Sequence, residues 1–306
     1  MLLSSEKRYF FIGSLNGILA NVLLGFSTVF WKYIGSLSAV ALVSYRIYLS
    51  LLIVVLVVCA CRGLVPLLAQ LSVRSVFLHS LAALLIAINW AAFIWASIHG
   101  RVLESSLGYL IAPIFSIVVG VVVYKEVVTR CKALALVIMV VSVFWLLVLS
   151  DDLEVSVYLS IGTSWGIYSC LKKMTSLNVF SGLLLESSVL ALFCTFVLFY
   201  SGVSIAIPAD FGLLRTLLLF CCGVVSVAPL ALFSFSAKRL TITSMGLLQF
   251  VLPVTQFFVA TVIYKQALSP VILLVLLAVL NALLLVVLEP VLIKFFVDKK
   301  WGRNGL

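Results

Sequence analysis

Two charged side chains, Arg46 and Glu186, stand deep inside apolar runs of this sequence. Each lies about seven residues from the end of its run, which corresponds to roughly 10 Å if the run is helical. A charge at that depth costs at least about 2.5 kcal/mol on membrane-insertion scales, so it needs a partner, water or a ligand. Arg46 could receive a carboxylate, and Glu186 an amine, a sulfonium or a proton. The alternative is a structural salt bridge between the two residues. The other charged residues are expected to flank the runs.

Two proline-containing runs each present a stripe of small and polar residues on one helix face. The stripe in the first half consists of Tyr109, Pro113, Ser116, Gly120 and Tyr124. The matching stripe in the second half consists of Gln249, Pro253, Gln256, Ala260 and Tyr264. Proline removes a helical hydrogen bond, which a polar cavity tolerates and which can also produce a kink that aids packing. We expect the two prolines to create the same defect and the stripes to face a cavity.

Further candidates for substrate contact are amide and aromatic residues of the other runs. They are Asn16, Asn21, Asn89, Trp90, Phe93, Trp165, Tyr168 and Phe233. For each of them, packing or an interhelical hydrogen bond is the alternative role. Trp31 and Lys32 end the first run, where interface anchors are common.

The composition predicts an all-α integral membrane protein, since 65% of the residues are hydrophobic, 10% are charged and the mean hydropathy is +1.34. Ten apolar runs are long enough to cross a bilayer as helices. We predict spans at 11–31, 39–61, 76–98, 103–124, 131–149, 154–171, 180–201, 212–236, 242–264 and 270–289. Fifteen of the 20 Lys and Arg residues fall on the side that holds both termini. By the positive-inside rule, both termini are predicted to be cytoplasmic.

The sequence is predicted to contain an internal repeat. A shift of 140 residues aligns Pro113 with Pro253, Arg46 with Glu186 and the Tyr-Lys pair at 124–125 with that at 264–265. We therefore predict a first five-helix repeat over residues 1–150 and a second over residues 151–306. Because five is odd, the repeats must be inverted, an arrangement typical of secondary transporters with substrate sites near the midplane.

Several function classes find no support in the sequence. No phosphate-binding loop of an ATP-driven pump is present. The two histidines, His79 and His99, are expected near opposite ends of one span, so no buried histidine should face a carboxylate in a metal site or a hydrolytic triad. The seven cysteines are expected to be apolar fillers without a disulfide or a metal. We expect no enzyme activity and no cofactor, and a non-transporting membrane scaffold is the remaining alternative to a transporter.

Four stretches carry a resemblance to a known family. They are "LESSLGYLIAP", "VVVYKE", "INWAAFIWA" and "PLALFSFSAKRLTITSMGLLQFVLP". Over essentially the whole chain, the sequence resembles the RarD branch of the EamA-type drug/metabolite transporter superfamily. The resemblance implies two inverted five-helix repeats around a central cavity lined by spanning helices 1, 3, 4, 6, 8 and 9. It places Asn89, Trp90, Tyr109, Gln249 and the two prolines on recurring positions. One departure is Lys125 before Glu126, where the family commonly has glycine, and the second half has Gln266 in place of the acid.

The substrate implied by this resemblance is a small metabolite carried across a bacterial inner membrane. Exchange of S-adenosylmethionine for S-adenosylhomocysteine, known in this family from intracellular bacteria, is the first expectation. A buried Arg and Glu among aromatic rings would suit a zwitterion that bears a base. Export of amino acids or drugs is the alternative. The expected partners are the substrate and membrane lipids, without nucleic acid, and the expected state is a monomer or a weak dimer.

Overall fold

A computed structural model describes residues 5–149, 154–266 and 269–302. Within these residues every regular element is helical. The helices are α1 (Ser5–Tyr33), α2 (Ala39–Ala60), α3 (Leu64–Gln70), α4 (Val73–Ile98), α5 (Val102–Val122), α6 (Arg130–Leu149), α7 (Val155–Met174), α8 (Val179–Ser201), α9 (Leu213–Phe220), α10 (Cys222–Ala237), α11 (Ile242–Gln249), α12 (Val251–Phe258) and α13 (Pro270–Gly302), with a π-helical turn (Val259–Ile263) after α12.

Seven helical stretches in the described part of the chain are long and apolar enough to cross a membrane. They are Arg8–Tyr33, Ala39–Ala60, Val73–Ile98, Val102–Val122, Val179–Ser201, Leu213–Ala237 and Ile242–Ile263. The protein is therefore an α-helical, multi-pass membrane protein. The other three predicted spans coincide with α6, α7 and α13, whose crossing of the membrane stays a prediction.

Local sequence signals explain where several helices begin. The side chains of Ser38, Asn178 and Thr241 accept backbone N–H groups three residues later, at the starts of α2, α8 and α11. Ser72 forms a capping box with Ser75 at the start of α4. Such caps satisfy N–H groups that have no partner within the helix, which is most valuable where water is scarce.

The helices around the two predicted proline defects differ in the structure. Helix α5 continues through Pro113. The second run instead breaks at Phe250, whose N–H bonds the Leu247 carbonyl at 3.3 Å, and a new helix starts at Val251. Phe250 keeps helical dihedral angles, and Pro253 has no N–H for the Gln249 carbonyl beside this interruption, as Pro113 has none for the Tyr109 carbonyl.

Close helix contacts hold the bundle together. Helix α5 packs on α7 and α11, α4 on α7, α1 on α10 and α12, α2 on α8 and α10, and α6 on α13. A Cβ added to Gly162 would lie 2.9 Å from the carbonyl oxygen of Gly108, so α5 and α7 meet backbone to backbone. Small residues allow this approach, which stabilises helix pairs in lipid through van der Waals contact.

The two Tyr-Lys turns have the same backbone shape. Lys125 and Lys265 both adopt left-handed backbones, with φ of 53° and 50°. The N–H groups of Glu126 and Gln266 bond to carbonyls six residues earlier, at 3.0 and 2.9 Å. A positive φ is uncommon for residues other than glycine, so its recurrence 140 residues apart agrees with the sequence alignment of the two turns.

Candidate functional site

Glu186 lies at the centre of a buried cluster of ionisable side chains. Its Oε1 accepts a hydrogen bond from Lys172 Nζ at 2.8 Å and lies 2.7 Å from His79 Nδ1. Its Oε2 accepts from the Tyr168 hydroxyl at 3.3 Å. Since a carboxylate only accepts, the geometry places a proton on His79 Nδ1. The cluster joins α4, α7 and α8.

This cluster corrects two expectations from the sequence. The sequence predicts that Lys172 flanks a span and that His79 lies away from any carboxylate, yet both contact Glu186 and their exposed fractions are 4% and 1%. Lys172 lies two residues before the end of α7, and its long side chain reaches inward to Glu186. The structure explains the glycine at position 182, because a Cβ there would lie 2.7 Å from the imidazole Cε1 of His79, a contact that the sequence alone does not show.

Arg46 does not pair with Glu186 and instead packs against tryptophans. The guanidinium carbon lies 3.9 Å from the Trp90 ring centroid and 4.9 Å from that of Trp31. Trp31 is fully buried, so its expected role as an interface anchor is wrong. Within the described residues, no acceptor bonds to Arg46 Nε or Nη1. The arginine therefore keeps hydrogen-bond donors without a partner.

Five aromatic candidates from both halves of the chain form one aromatic cluster: Phe93, Tyr109, Trp165, Tyr168 and Phe233. The Tyr109 ring packs edge-on against Phe93 and Trp165, with both centroids 6.0 Å away. Trp165 in turn stacks on Tyr168 at 5.3 Å and contacts Phe233 at 5.0 Å. All five are buried. The five rings pack against one another in the interior, and aromatic π-systems of this kind favour contact with planar or cationic groups.

Amide side chains connect the aromatic cluster to both halves. Asn89 Oδ1 accepts from the Tyr109 hydroxyl at 2.9 Å, while its Nδ2 donates to the Ile161 carbonyl at 3.3 Å. Gln249 Nε2 donates to Ser116 Oγ at 3.1 Å. These contacts bridge α4 and α5 of the first half to α7 and α11 of the second.

The remaining predicted residues lie in less connected places. Gln256 Nε2 is 3.4 Å from Ser105 Oγ, a further contact between the halves. Asn21 donates to the Gly17 carbonyl of its own helix at 2.7 Å, and its Oδ1 has no donor in the described chain. Asn16 is half-buried on α1. The structure thus brings together Asn89, Phe93, Tyr109, Trp165, Tyr168 and Phe233, with Trp90 next to Asn89.

Glu126, at the edge of the bundle, holds the start of α11. Its two carboxylate oxygens accept the N–H groups of Ile242 and Thr243 at 2.8 and 2.9 Å. Burial alone would raise the pKa of Glu126, but hydrogen bonds from Thr243 and Ile242, with the charge of Lys173, lower it below its usual value. The carboxylate is therefore held in its ionised form as an N-terminal cap.

An apolar cleft of about 540 Å³ lies between α2, α4 and α8. Ile47, which follows Arg46, lines it together with Trp95 and Phe193. Its walls resemble the apolar surfaces that face lipid rather than the polar interior. Among the described residues, no three metal-ligating side chains come together.

Comparison with known proteins gives relatives along most of the chain. An uncharacterized transporter of Bacillus subtilis (strain 168), YojE, is 31% identical over 81% of this chain and 84% of its own. The protein RarD of Streptomyces exfoliatus is 31% identical over 88% of this chain and 85% of its own. A protein of known crystal structure shares the fold with a TM-score of 0.63, covering 90% of this chain and 98% of its own at 15% identity. No protein-family model matches the sequence, so membership of the wider EamA superfamily stays a prediction.

Proposed function

Since this chain belongs to the RarD family of membrane transporters, we propose that it is a secondary transporter that moves a small metabolite by alternating access. The two moving units are the predicted inverted five-helix repeats, residues 1–150 and 151–306, around a central cavity. Ten spans, a bacterial inner-membrane location and cytoplasmic termini belong to the same proposal.

The single observation that carries this proposal is the polar character of the boundary between the halves. The Asn89 contact with Ile161, the Ser116 contact with Gln249 and the Ser105 contact with Gln256 all cross it. Polar side chains in a membrane interior are costly unless they are paired or can be hydrated. The same groups could be hydrated when the halves separate, which supports opening to water on either side.

The packing of the helices also supports inverted repeats. Helix α1 packs on α10 and α12, and its counterpart in the second half, α7, packs on α4 and α5. These contacts are reciprocal under exchange of the halves, as a two-fold relation requires. The similar backbone shape of the two Tyr-Lys turns supports the same relation.

For the substrate we propose S-adenosylmethionine, exchanged for S-adenosylhomocysteine. The aromatic cluster supports this choice because π-faces hold purine rings and sulfonium cations. Glu186 already has Lys172 and His79 as partners, so the sulfonium is assigned to the rings and not to this carboxylate. Amino-acid or drug export within the same family is the competing assignment.

Counterflow into liposomes tests the proposal. Purified protein is reconstituted in liposomes that contain unlabelled S-adenosylhomocysteine, and labelled S-adenosylmethionine is added outside. We expect uptake above that of protein-free liposomes and above that of proteoliposomes without the internal compound. Labelled amino acids form a second arm. A properly folded preparation that accumulates no labelled compound in either arm would indicate a scaffold.

A matched pair of substitutions connects uptake to the aromatic cluster. Phe233→Leu removes a ring from the cluster, while Phe199→Leu makes the same change at a position that is 79% exposed. Loss of one aromatic contact should slow uptake about three- to tenfold in the first variant. The second variant should transport like the wild type.

A further inference from the structure

Arg46 is buried with unpaired hydrogen-bond donors, whereas the donors of an arginine with a structural role are normally paired. We infer that Arg46 binds a carboxylate of the transported substrate between Trp31 and Trp90. The inference rests on the proposed function, because the carboxylate belongs to the cargo. It makes the substrate class specific: molecules with a free carboxylate are carried, and close analogues without one are not.

Arg46, Trp31 beside its guanidinium and Ser50 on the next turn of α2 all have buried polar atoms without a partner among the described residues. Arg46 Nε and Nη1, Trp31 Nε1 and Ser50 Oγ have no hydrogen-bond partner among the described residues. Their residues are only 1%, 0% and 2% exposed. Ser50 lies one helical turn after Arg46 on α2. Each buried donor without a hydrogen bond costs about 1–3 kcal/mol of free energy. Several such donors together therefore indicate that an acceptor binds here.

The charge balance identifies the acceptor as an anion. Within the described chain, no carboxylate lies within salt-bridge distance of Arg46. The ionisable groups close enough to interact electrostatically with Arg46 are Tyr109 and Cys222. They are a phenol and a thiol, which carry no charge at neutral pH. Glu186, by contrast, already has an ammonium partner in Lys172. Among these groups, Arg46 is therefore the positive charge that has no negative partner.

The guanidinium suits an anion with two adjacent oxygens, such as a carboxylate. Trp90 lies against the guanidinium at 3.9 Å and restrains its plane. A planar guanidinium offers parallel N–H donors that match the two oxygens of a carboxylate. Trp90 directly follows Asn89, which bonds to Tyr109 of the aromatic cluster. A substrate could therefore place its carboxylate at Arg46 and a ring or sulfonium at the aromatic cluster.

Binding to the detergent-solubilised full-length protein tests the inference without requiring transport. Two ligand pairs differ only in the carboxylate: S-adenosylmethionine with its decarboxylated form, and phenylalanine with phenethylamine. Calorimetry and thermal shift should detect binding of at least one carboxylate-bearing member, with the decarboxylated partner at least about tenfold weaker. Arg46→Gln should lower the affinity for the carboxylate-bearing ligand about 10- to 100-fold. The two ligands of a pair should then bind the variant with similar affinity.

Two further variants separate recognition from folding. Trp31→Phe keeps the ring but removes the N–H donor, and it should weaken carboxylate binding several-fold. Arg215→Gln is the matched control, because Arg215 is an exposed arginine 5.9 Å from the Tyr33 ring, and it should bind like the wild type. If Arg46→Gln does not fold, Arg46→Lys keeps the charge and loses the paired donors, so an intermediate affinity is expected.

The outcomes distinguish this inference from the proposed function. Equal responses of the wild type and the Arg46 variants to every ligand, including no response in either, overturn the inference. Uptake of a decarboxylated analogue as fast as its parent also overturns it while leaving transport established. Carboxylate binding that depends on Arg46 but is not followed by uptake in liposomes upholds the site and contradicts the proposed transport.

Discussion

Lys172 and Glu186 form a buried ion pair, with 2.8 Å between Nζ and Oε1 and about 3% of each side chain exposed. It links the last turn of α7 to the second turn of α8, and His79 bonds to the same oxygen from α4. Three helices are thus joined at one carboxylate. The pair also explains why Glu186 is tolerated at a depth where an isolated charge would be expelled.

Replacing one member of this pair should lower the free energy of unfolding far more than replacing both. Lys172→Met leaves a buried carboxylate without its cation, and we expect a loss of about 3–5 kcal/mol in unfolding free energy. Lys172→Met combined with Glu186→Gln should lose less, because no buried charge remains. Unfolding in mixed detergent micelles measures both.

The control for this experiment is a partly exposed pair. Arg101 bonds to Glu104 at 2.9 Å, and the arginine side chain is 42% exposed. Arg101→Met should therefore reduce stability far less than Lys172→Met. A double variant no more stable than Lys172→Met would contradict the view that the unpaired charge dominates the loss.

The hydrogen bond from Tyr109 to Asn89 should be measurable as stability. Tyr109→Phe keeps the ring but leaves Asn89 Oδ1 buried without that donor, at a cost of about 1–3 kcal/mol. Tyr124→Phe, at a position 41% exposed, should change stability by about 0.5 kcal/mol or less. Thermal melts of the purified variants compare the two, and equal shifts would show that the bond adds nothing.

Acid should weaken the contact between Glu126 and the start of α11. The folded pKa of Glu126 is lowered from 4.5 by its hydrogen bonds and by Lys173, despite burial, which would raise it. Its contribution is therefore complete above the unfolded value of 4.5 and is lost as pH falls through the folded value. The stability gap between wild type and Glu126→Gln should be constant near neutral pH and shrink below pH 4.5. A gap that is unchanged down to the acid limit of folding would refute this linkage.

The backbone contact between α5 and α7 should not tolerate larger side chains. A Cβ on Gly162 would meet the Gly108 carbonyl at 2.9 Å, so Gly162→Val must separate the two helices, with an expected cost of about 1–3 kcal/mol. Gly63→Ala is the control, because its nearest contact would be the movable Val58 Cγ1 at 3.2 Å. Melting temperatures of both variants against the wild type provide the measurement.

The helical membrane character of the chain could be predicted from apolar runs alone, since a bilayer leaves helices as the simplest way to satisfy every backbone group. The sequence could not predict the interruptions at Cys221, between α9 and α10, and at Phe250, between α11 and α12. Proline position predicts where a helical hydrogen bond is missing, but whether the helix bends or restarts depends on neighbouring helices.

The members of the interior networks were partly predictable. The period of three and four residues grouped Tyr109 with Ser116, which are both buried, but it also grouped them with Tyr124, which is 41% exposed. Counting residues from a helix end failed for Lys172, because a long side chain can carry its charge several ångströms from its backbone. The partners of Glu186 depend on how α4 and α7 pack, which a single sequence does not state.

Glu126 and Gln266 close two turns of the same backbone shape with opposite hydrogen-bonding roles. The carboxylate of Glu126 accepts two N–H groups of α11, whereas the amide of Gln266 donates to the Gly100 carbonyl. Only the first contact contains a group that can take up a proton. The repeated turns consequently differ in their sensitivity to proton concentration, although their backbones do not differ.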